Sequence, residues 1–526
     1  MKFKLNADNS KLILVQSTKI EYNQLKLWLT RYVNNYRHMK RFKLGVWDGK
    51  LDFFKDGFID FGLWQEIYKC CKEYEFEFII ENKNQFPIDK DITYEEVETF
   101  SKDFFKDHKV PGSDDKPTDT PFIPYEHQID AIHKILKYKF GLVEIATAGG
   151  KSLVFGTLLF WYLRNVNPNA KFLLIVPSIG LVTQFYNDLM DYNLGYFNEN
   201  KNPVDIRIDE IMSDKPRKYK DPSKEPNVYI GTYQSLEKWQ RPWFRQFDVI
   251  ATDEAHTAKA QTLISILTRT FGSAKIRYGM SGTYPSDKSS EILTIQSLMG
   301  PKLVNVSAKK LMDKGLISNV KIKALLLHHD NREFAEGVFK IKKRGDGQKA
   351  WQLEREYIHN SSKRKNFIKK LVDKFTSNSL ILFHTIEFGT EMYNFLKDNC
   401  QNKDVFYIDG QTSMEKRDYI KKVMENTKDN PKILVASFGT FSTGQNIKAI
   451  TNIIFADSFR EQKIIRQSIG RGLRKHKDKQ KLIVFDLVDV FHKDFTKTIL
   501  YNQYLSRRDD IYKKQKFPFD ELKIKL

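Results

Sequence analysis

Three short stretches, far apart in the chain, carry side chains that suit one reaction. Ala146-Thr147-Ala148-Gly149-Gly150-Lys151-Ser152 is a run of small residues ending in a lysine and a hydroxyl. Asp253-Glu254-Ala255-His256 sets two carboxylates side by side, and Gln467-Ser468-Ile469-Gly470-Arg471-Gly472-Leu473-Arg474 holds two guanidinium groups. Small residues let backbone N–H groups wrap the β- and γ-phosphates of a nucleoside triphosphate at a helix start. Thr147, Ala148, Gly149 and Gly150 are the expected cradle; Lys151 neutralises the phosphates and Ser152 ligates Mg²⁺. Asp253 is the second expected Mg²⁺ ligand, and Glu254 aligns and deprotonates the attacking water. Two arginines near a departing phosphate supply roughly 10³–10⁵ in rate. Two of the stretches have a bland reading. Ile145 stands where the usual phosphate-loop pattern has its first glycine, which leaves an ordinary Gly-rich turn, and an acidic pair after a strand is more often a helix cap. Together the three describe a nucleotide-driven motor.

The elements that must position these groups are legible as short apolar runs. Leu142 to Ile145, Phe172 to Val176, Val228 to Ile230 and Asp248 to Ala251 read as buried parallel strands, each ending where a motif begins. In open α/β sheets ligands sit at the carboxyl ends of strands, so the motifs fall where such a fold uses them. A second series begins near residue 301, with Leu380 to Phe383, Val405 to Ile408, Ile433 to Ala436, Ile453 to Ala456 and Leu482 to Phe485. Two similar α/β domains in tandem are the simplest account.

The 526 residues exceed what one core accommodates and fit about three domains. A formal charge of +21 points to a polyanionic partner, nucleic acid first and an anionic membrane second. The longest apolar run, Leu153 to Leu163, is half of the ~20 residues that a membrane span needs, and the first residues lack the apolar run of a secretion signal. The expectation is a soluble protein of the cytoplasm, with Cys70, Cys71 and Cys400 as core thiols.

Pro, Asp, Gly and Ser crowd residues 110–121, which reads as a linker after an N-terminal domain at 1–109. Residues 1–50 hold eleven Lys or Arg against three acids, and 51–110 hold eight against fifteen, so the first half is the expected contact face. There, Lys11 to Val15 reads as a strand and Tyr22 to Tyr36 as a helix. Phe42 to Phe54 alternates around Asp48-Gly49 as a hairpin would. A small α+β module presenting Arg37, Lys40, Arg41, Lys43 and Lys50 beside aromatics follows; a solvated face over a Phe and Trp core is the equal alternative.

Asp253-Glu254-Ala255-His256, in this order with the other stretches, resembles the DEAH-type signature of superfamily 2 helicases, over roughly residues 121–490. The resemblance implies two tandem RecA-like domains, at 122–300 and 301–500, preceded by the α+β domain and followed by a basic helical tail at 501–526. It implies adenine-side contacts from Tyr125 and Gln128, and coupling of hydrolysis to motion through His256, Ser281 and Thr283. Strand-backbone contacts are implied for Pro177, Ser178, Thr232, His384, Gly410 and Thr443. Gly444, within Ser442 to Asn446, matches a motif that senses nucleotide, and Gln467, Gly470, Arg471 and Arg474 fit Q-x-x-G-R-x-x-R, with Arg474 as the arginine finger. If the two halves of that chemistry lie on separate domains, hydrolysis requires closure, and closure favoured by nucleic acid switches the ATPase on. The run from Lys475 to Lys481 extends the basic surface or is a solvated loop.

Phe42 to Gly49, Leu311 to Ile317 and Phe441 to Gly444 give a closer likeness, to the phage UvsW-type recombination helicases. It implies an ATP- and Mg²⁺-dependent monomer in the host cytoplasm that remodels branched or forked DNA and removes RNA from RNA–DNA hybrids. The rival readings are an RNA helicase, a duplex translocase that does not separate strands, and a nucleotide-gated binding or annealing protein. Glu254 divides the last from the others, because a positioned base predicts turnover.

Overall fold

A computed structural model describes the chain except residues 9, 90, 112–116, 213–224, 257–259, 288, 427–429, 445–446, 460, 477–478 and 495–497. Contacts divide it into two compact units, Met1–Ala146 with Gly150–Val306, and Ser307–Leu526 with Thr147–Gly149.

The first unit is built on a seven-stranded sheet. Its order is Ile208–Ile211, Val228–Thr232, Phe172–Val176, Val249–Asp253, Ile276–Ser281, Phe140–Ile145 and Lys302–Val306, and every pairing is parallel. Helices cover it, so Phe172–Val176 and Val249–Asp253 are buried at every position, which is why they read as unbroken apolar runs. The edge strand Lys302–Val306 pairs with Phe140–Ile145, so this sheet runs past residue 300.

The N-terminal module belongs to the same unit. Its five-stranded mixed sheet, in the order Phe54–Lys55, Phe58–Asp60, Lys11–Gln16, Lys2–Leu5 and Ile79–Ile80, packs on helices Lys19–Trp28 and Trp64–Glu73. Its core takes in Phe140 and Leu293 from the motor sheet and its covering helix. Phe61 meets Phe140 edge-on at 5.6 Å. Gly62 lies so close to helix Ser290–Met299 that a Cβ there would stand 1.9 Å from the Gln296 carbonyl oxygen.

Three local readings change. The helix starts at Lys19, because Thr18 and Glu21 form a capping box, and stops at Trp28, where Thr30–Tyr32 becomes a strand. That strand pairs with Lys50–Asp52, so the Asp48-Gly49 hairpin does not form. Gly49 has φ +84°, but Asp48 lacks the positive φ that such a turn needs, and Lys40–Lys43 coils into a helical turn. The stretch read as a linker contributes two paired strands, Lys109–Pro111 and Pro117–Pro121; its middle lies outside the described residues.

The second unit repeats the architecture. Its sheet runs Val405–Ile408, Ile433–Ser437, Ser379–Phe383, Asn452–Phe455, Lys481–Val490, Asn319–His328 and Phe519–Lys525, again all parallel. The segment expected as a helical tail is therefore helical only at first. Helix Ile499–Arg507 and the turn after it give way to Phe519–Lys525, an edge strand whose charged, exposed side chains mask its period. Among the described residues, no helix is long and apolar enough to cross a membrane. Cys70, Cys71 and Cys400 are buried and unbridged, with burial pushing their thiols up to about 12, 11 and 11.

Candidate nucleotide and nucleic-acid site

The phosphate-loop sequence sits between strand Phe140–Ile145 and helix Lys151–Asn165, its expected context. Ala148 and Gly150 have φ of +70° and +82°, the left-handed values that an anion-binding nest asks of alternate residues. A Cβ on Gly150 would meet the Gln128 amide at 2.1 Å. Gln128 thus lies against the loop, and its carbonyl oxygen accepts the Tyr125 N–H at 2.7 Å. Tyr125 is exposed and stacks on His127.

Strand Val249–Asp253 delivers the acidic pair. Asp253 is buried at its tip, and Glu254 follows in the left-handed region with φ +50°. Glu254 Oε1 stands 3.9 Å from Lys151 Nζ, and Oε2 stands 3.4 Å from His256 Nδ1. His256 Nδ1 is also 2.5 Å from Ser281 Oγ. Ser281 donates its own proton to the Thr283 carbonyl at 2.6 Å and accepts the Thr283 N–H at 3.1 Å. The network therefore assigns the His256 proton to Nδ1, donated toward Ser281 and Glu254. Lys151, Glu254, His256 and the loop after strand Ile276–Ser281 form one continuous polar chain. Ser152 Oγ lies 3.0 Å from the Tyr192 hydroxyl, a partner the sequence did not signal.

The remaining positions divide. Pro177 and Ser178 follow strand Phe172–Val176, with Ser178 as N-cap residue of helix Ile179–Leu194. Thr232 is buried, and its hydroxyl caps the helix Tyr233–Leu236. In the second unit His384 and Gly410 come together on one cavity of about 570 Å³, shared with Arg417, Ser437, Phe438 and Phe459. Arg417 donates to the carbonyls of Asp409 and Gly410 at 2.8 and 3.1 Å, and His384 meets Phe459 edge-on at 4.8 Å. Sequence reasoning missed Arg417 and Phe459, which belong to no motif. Thr443 and Gly444 end helix Phe438–Gly444 with their side chains outside the described set, as are Gln445 and Asn446 entirely. Gln467 and Arg471 share one face of helix Gln462–Gly472, and Arg474 continues that spacing just past its end. Lys479 is not on the surface. It is buried on the carbonyls of Lys448 and Arg474, and burial pushes its amine down to about 8; Lys477 lies outside the described residues.

In the N-terminal module, Arg37, Lys40, Arg41 and Lys43 are all exposed. In the same module Tyr32 and Tyr36 stack at 4.9 Å, with Lys50 over the Tyr32 ring at 5.3 Å and Arg37 over Tyr36 at 5.7 Å. Leu44 and Val46 extend from the same loop 64 and 70% exposed.

Two family models match the chain, the res subunit of type III restriction enzymes over residues 122–286 and the helicase conserved C-terminal domain over 362–476. The ATP-dependent DNA helicase uvsW of Enterobacteria phage T4 is 29% identical over 497 residues, covering 93% of this chain and 91% of that protein. By structure, the ATP-dependent type ISP restriction-modification enzyme LlaBIII bound to DNA aligns over 85% of this chain and 33% of its own, at 14% identity and TM-score 0.55. Mss116p bound to ssRNA and AMP-PNP aligns over 77% and 74%, at 16% identity and TM-score 0.50. These two likenesses concern the fold. With both helicase domains in order on two RecA-like sheets, the chain belongs to the superfamily 2 helicases and is an ATP-hydrolysing, nucleic-acid-binding enzyme.

Proposed function

We propose that this protein is an ATP- and Mg²⁺-dependent DNA helicase that remodels branched DNA by migrating junctions, regressing forks and unwinding R-loops or D-loops. The observation that carries the reading is the polar chain Lys151–Glu254–His256–Ser281, with its contacts of 3.9, 3.4 and 2.5 Å. It ties a phosphate-neutralising amine and a base to a segment that can report hydrolysis. Ser152 and Asp253 offer a hydroxyl and a carboxylate oxygen, the hard donors that Mg²⁺ takes beside phosphates and water, and would hold that ion. That ion would offset phosphate charge. Glu254 holds the attacking water and receives its proton, Lys151 offsets phosphate charge, and Gln467, Arg471 and Arg474 supply further hydrogen bonds and positive charge.

DNA as substrate is supported by the likeness to the DNA helicase of phage T4 and by the charge of +21. Residues 1–109 act as the recognition domain through Arg37, Lys40, Arg41 and Lys43, whose neighbouring tyrosines can stack on bases. His384, Gly410 and Thr443, with Pro177, Ser178 and Thr232, contact the strand backbone.

The test pairs Glu254→Gln with a substrate panel. The variant should bind ATP as the parent does and lose nucleic-acid-stimulated hydrolysis; undiminished turnover would remove Glu254 as base. At fixed salt, the parent should hydrolyse ATP and displace strands faster on four-way DNA junctions and forks than on single-stranded RNA. Preference for single-stranded RNA would overturn the DNA reading.

A further inference from the structure

The second unit carries an element outside the helicase motifs. Helices Arg332–Lys343 and Gly347–Asn360 form a hairpin joined by Arg344-Gly345-Asp346. It rises directly after the carboxyl end of strand Asn319–His328, and the sheet is all parallel, so this is the same edge that carries His384.

The base of the hairpin is rigid. Ala335 and Ile358 share a core with Phe491 and Leu500. The buried Glu354 carboxylate accepts the N–H groups of Ile499 and Leu500, both at 2.8 Å, tying the second arm to the start of helix Ile499–Arg507. The tip is different. From residue 340 to 349 the chain holds five cations against one acid, and Lys343, Arg344 and Lys349 are exposed. Lys343 lies over the Phe339 ring at 5.1 Å, which covers that aromatic face.

The hairpin also touches a residue already placed in the strand tract. Trp351 lies 6.4 Å from His384, ring centre to ring centre, and Arg355 lies over the Trp351 ring at 4.4 Å. Trp351 is the fifth residue of its helix, so only about 6 Å of helical rise separates it from the charged turn. The cations of the tip and the aromatic contacts around His384 are thus neighbours.

We propose that this helical hairpin is a second nucleic-acid contact, its tip holding the phosphate backbone of a duplex through Lys343, Arg344 and Lys349. A duplex is the occupant because single strands are held by open aromatic faces, which the tip lacks, whereas a duplex presents closely spaced phosphates that cations alone can grip. The inference deepens the helicase reading and rests on it.

The test uses the full-length chain with K343Q, R344Q and K349Q combined. Binding to a blunt duplex and to a single strand of equal length is measured by anisotropy across a salt series. Three lost phosphate contacts should lower duplex affinity by about tenfold or more and flatten the slope of log K against log salt by about 2.7. Single-strand affinity and ATP hydrolysis without nucleic acid should be unchanged. An unchanged duplex slope would make the tip a solvated face, and a loss confined to the single strand would overturn the duplex assignment. A parent protein that binds neither probe would overturn the helicase reading itself, which the variant alone does not test.

Discussion

The two seven-stranded sheets share one pairing pattern but use buried charge differently. In the first, Lys151 and Glu254 are each 12% exposed and stand 3.9 Å apart, with Lys151 following a loop of left-handed residues. In the second, the ion pairs are deeper and close on one another. Arg364 grips both oxygens of Asp489 at 2.9 and 3.1 Å while His329 takes one of them at 2.9 Å. Arg507 does the same to Asp486, which also accepts from Tyr512. Burial pushes the Asp489 carboxyl up, but Arg364 and His329 outweigh it and leave it below the ordinary range. Both oxygens of each carboxylate are thus taken up inside the fold. Depth and perturbation alone therefore do not mark a reactive site, whereas charge facing an open cradle does.

Substitutions in each sheet test that contrast. The largest effect is expected for Glu254→Gln, with stimulated turnover lower by about 10²–10⁴ and an unchanged melting temperature. A matching loss of stability would show that this pair, too, is structural. Arg364→Met should do the reverse. Stranding Asp489 should cost about 3–5 kcal/mol of stability, and removing both partners, as R364M with D489L, should recover much of it. Denaturant titration of the three proteins checks this, and equal losses in single and double variants would refute a closed pair.

Gly62→Ala probes the seam in the first unit. Its Cβ would collide with the Gln296 carbonyl, and overpacking of that kind costs about 1–3 kcal/mol. An unchanged denaturation midpoint would mean that the module can shift to make room.

The smallest effect concerns pH. Burial pushes the Glu354 carboxyl up to about 7 from an ordinary 4.5, despite the two N–H groups it accepts. The folded state then binds more protons than the unfolded one between those values. This contribution is full below about 4.5 and is lost as pH rises through 7. Calorimetry should show the melting temperature falling from pH 5 to 8, with a shallower fall in Glu354→Gln. Identical slopes would assign the effect to another group.

Motif-bearing strands were legible because their burial on both faces leaves unbroken apolar runs. Strand Ile276–Ser281 was not, because Arg277 and Gly279 interrupt it. Arg277 is nevertheless buried between the rings of Phe140 and Phe271, 5.1 and 4.4 Å away, and Gly279 makes room for Met299 and Ala255. Phe519–Lys525 hid for the opposite reason, since an exposed charged edge has no apolar period to read. At the site, the phosphate loop and the acidic pair follow from residue type and order, whereas His256 and Ser281 were reached only through the family resemblance and their contact only through the fold. Tyr192, Arg417 and Phe459 do not follow from the sequence, because tertiary packing alone brings them to Ser152, Gly410 and His384.

The module at the start of the chain interlocks with the ATP-binding sheet through Phe140 and Leu293. A fragment cut at residue 110 would strip the cover from both side chains and leave a sticky apolar scar where a clean end was intended. Residue 110 marks a change in sequence character inside one compact unit, not a break between separately folded parts.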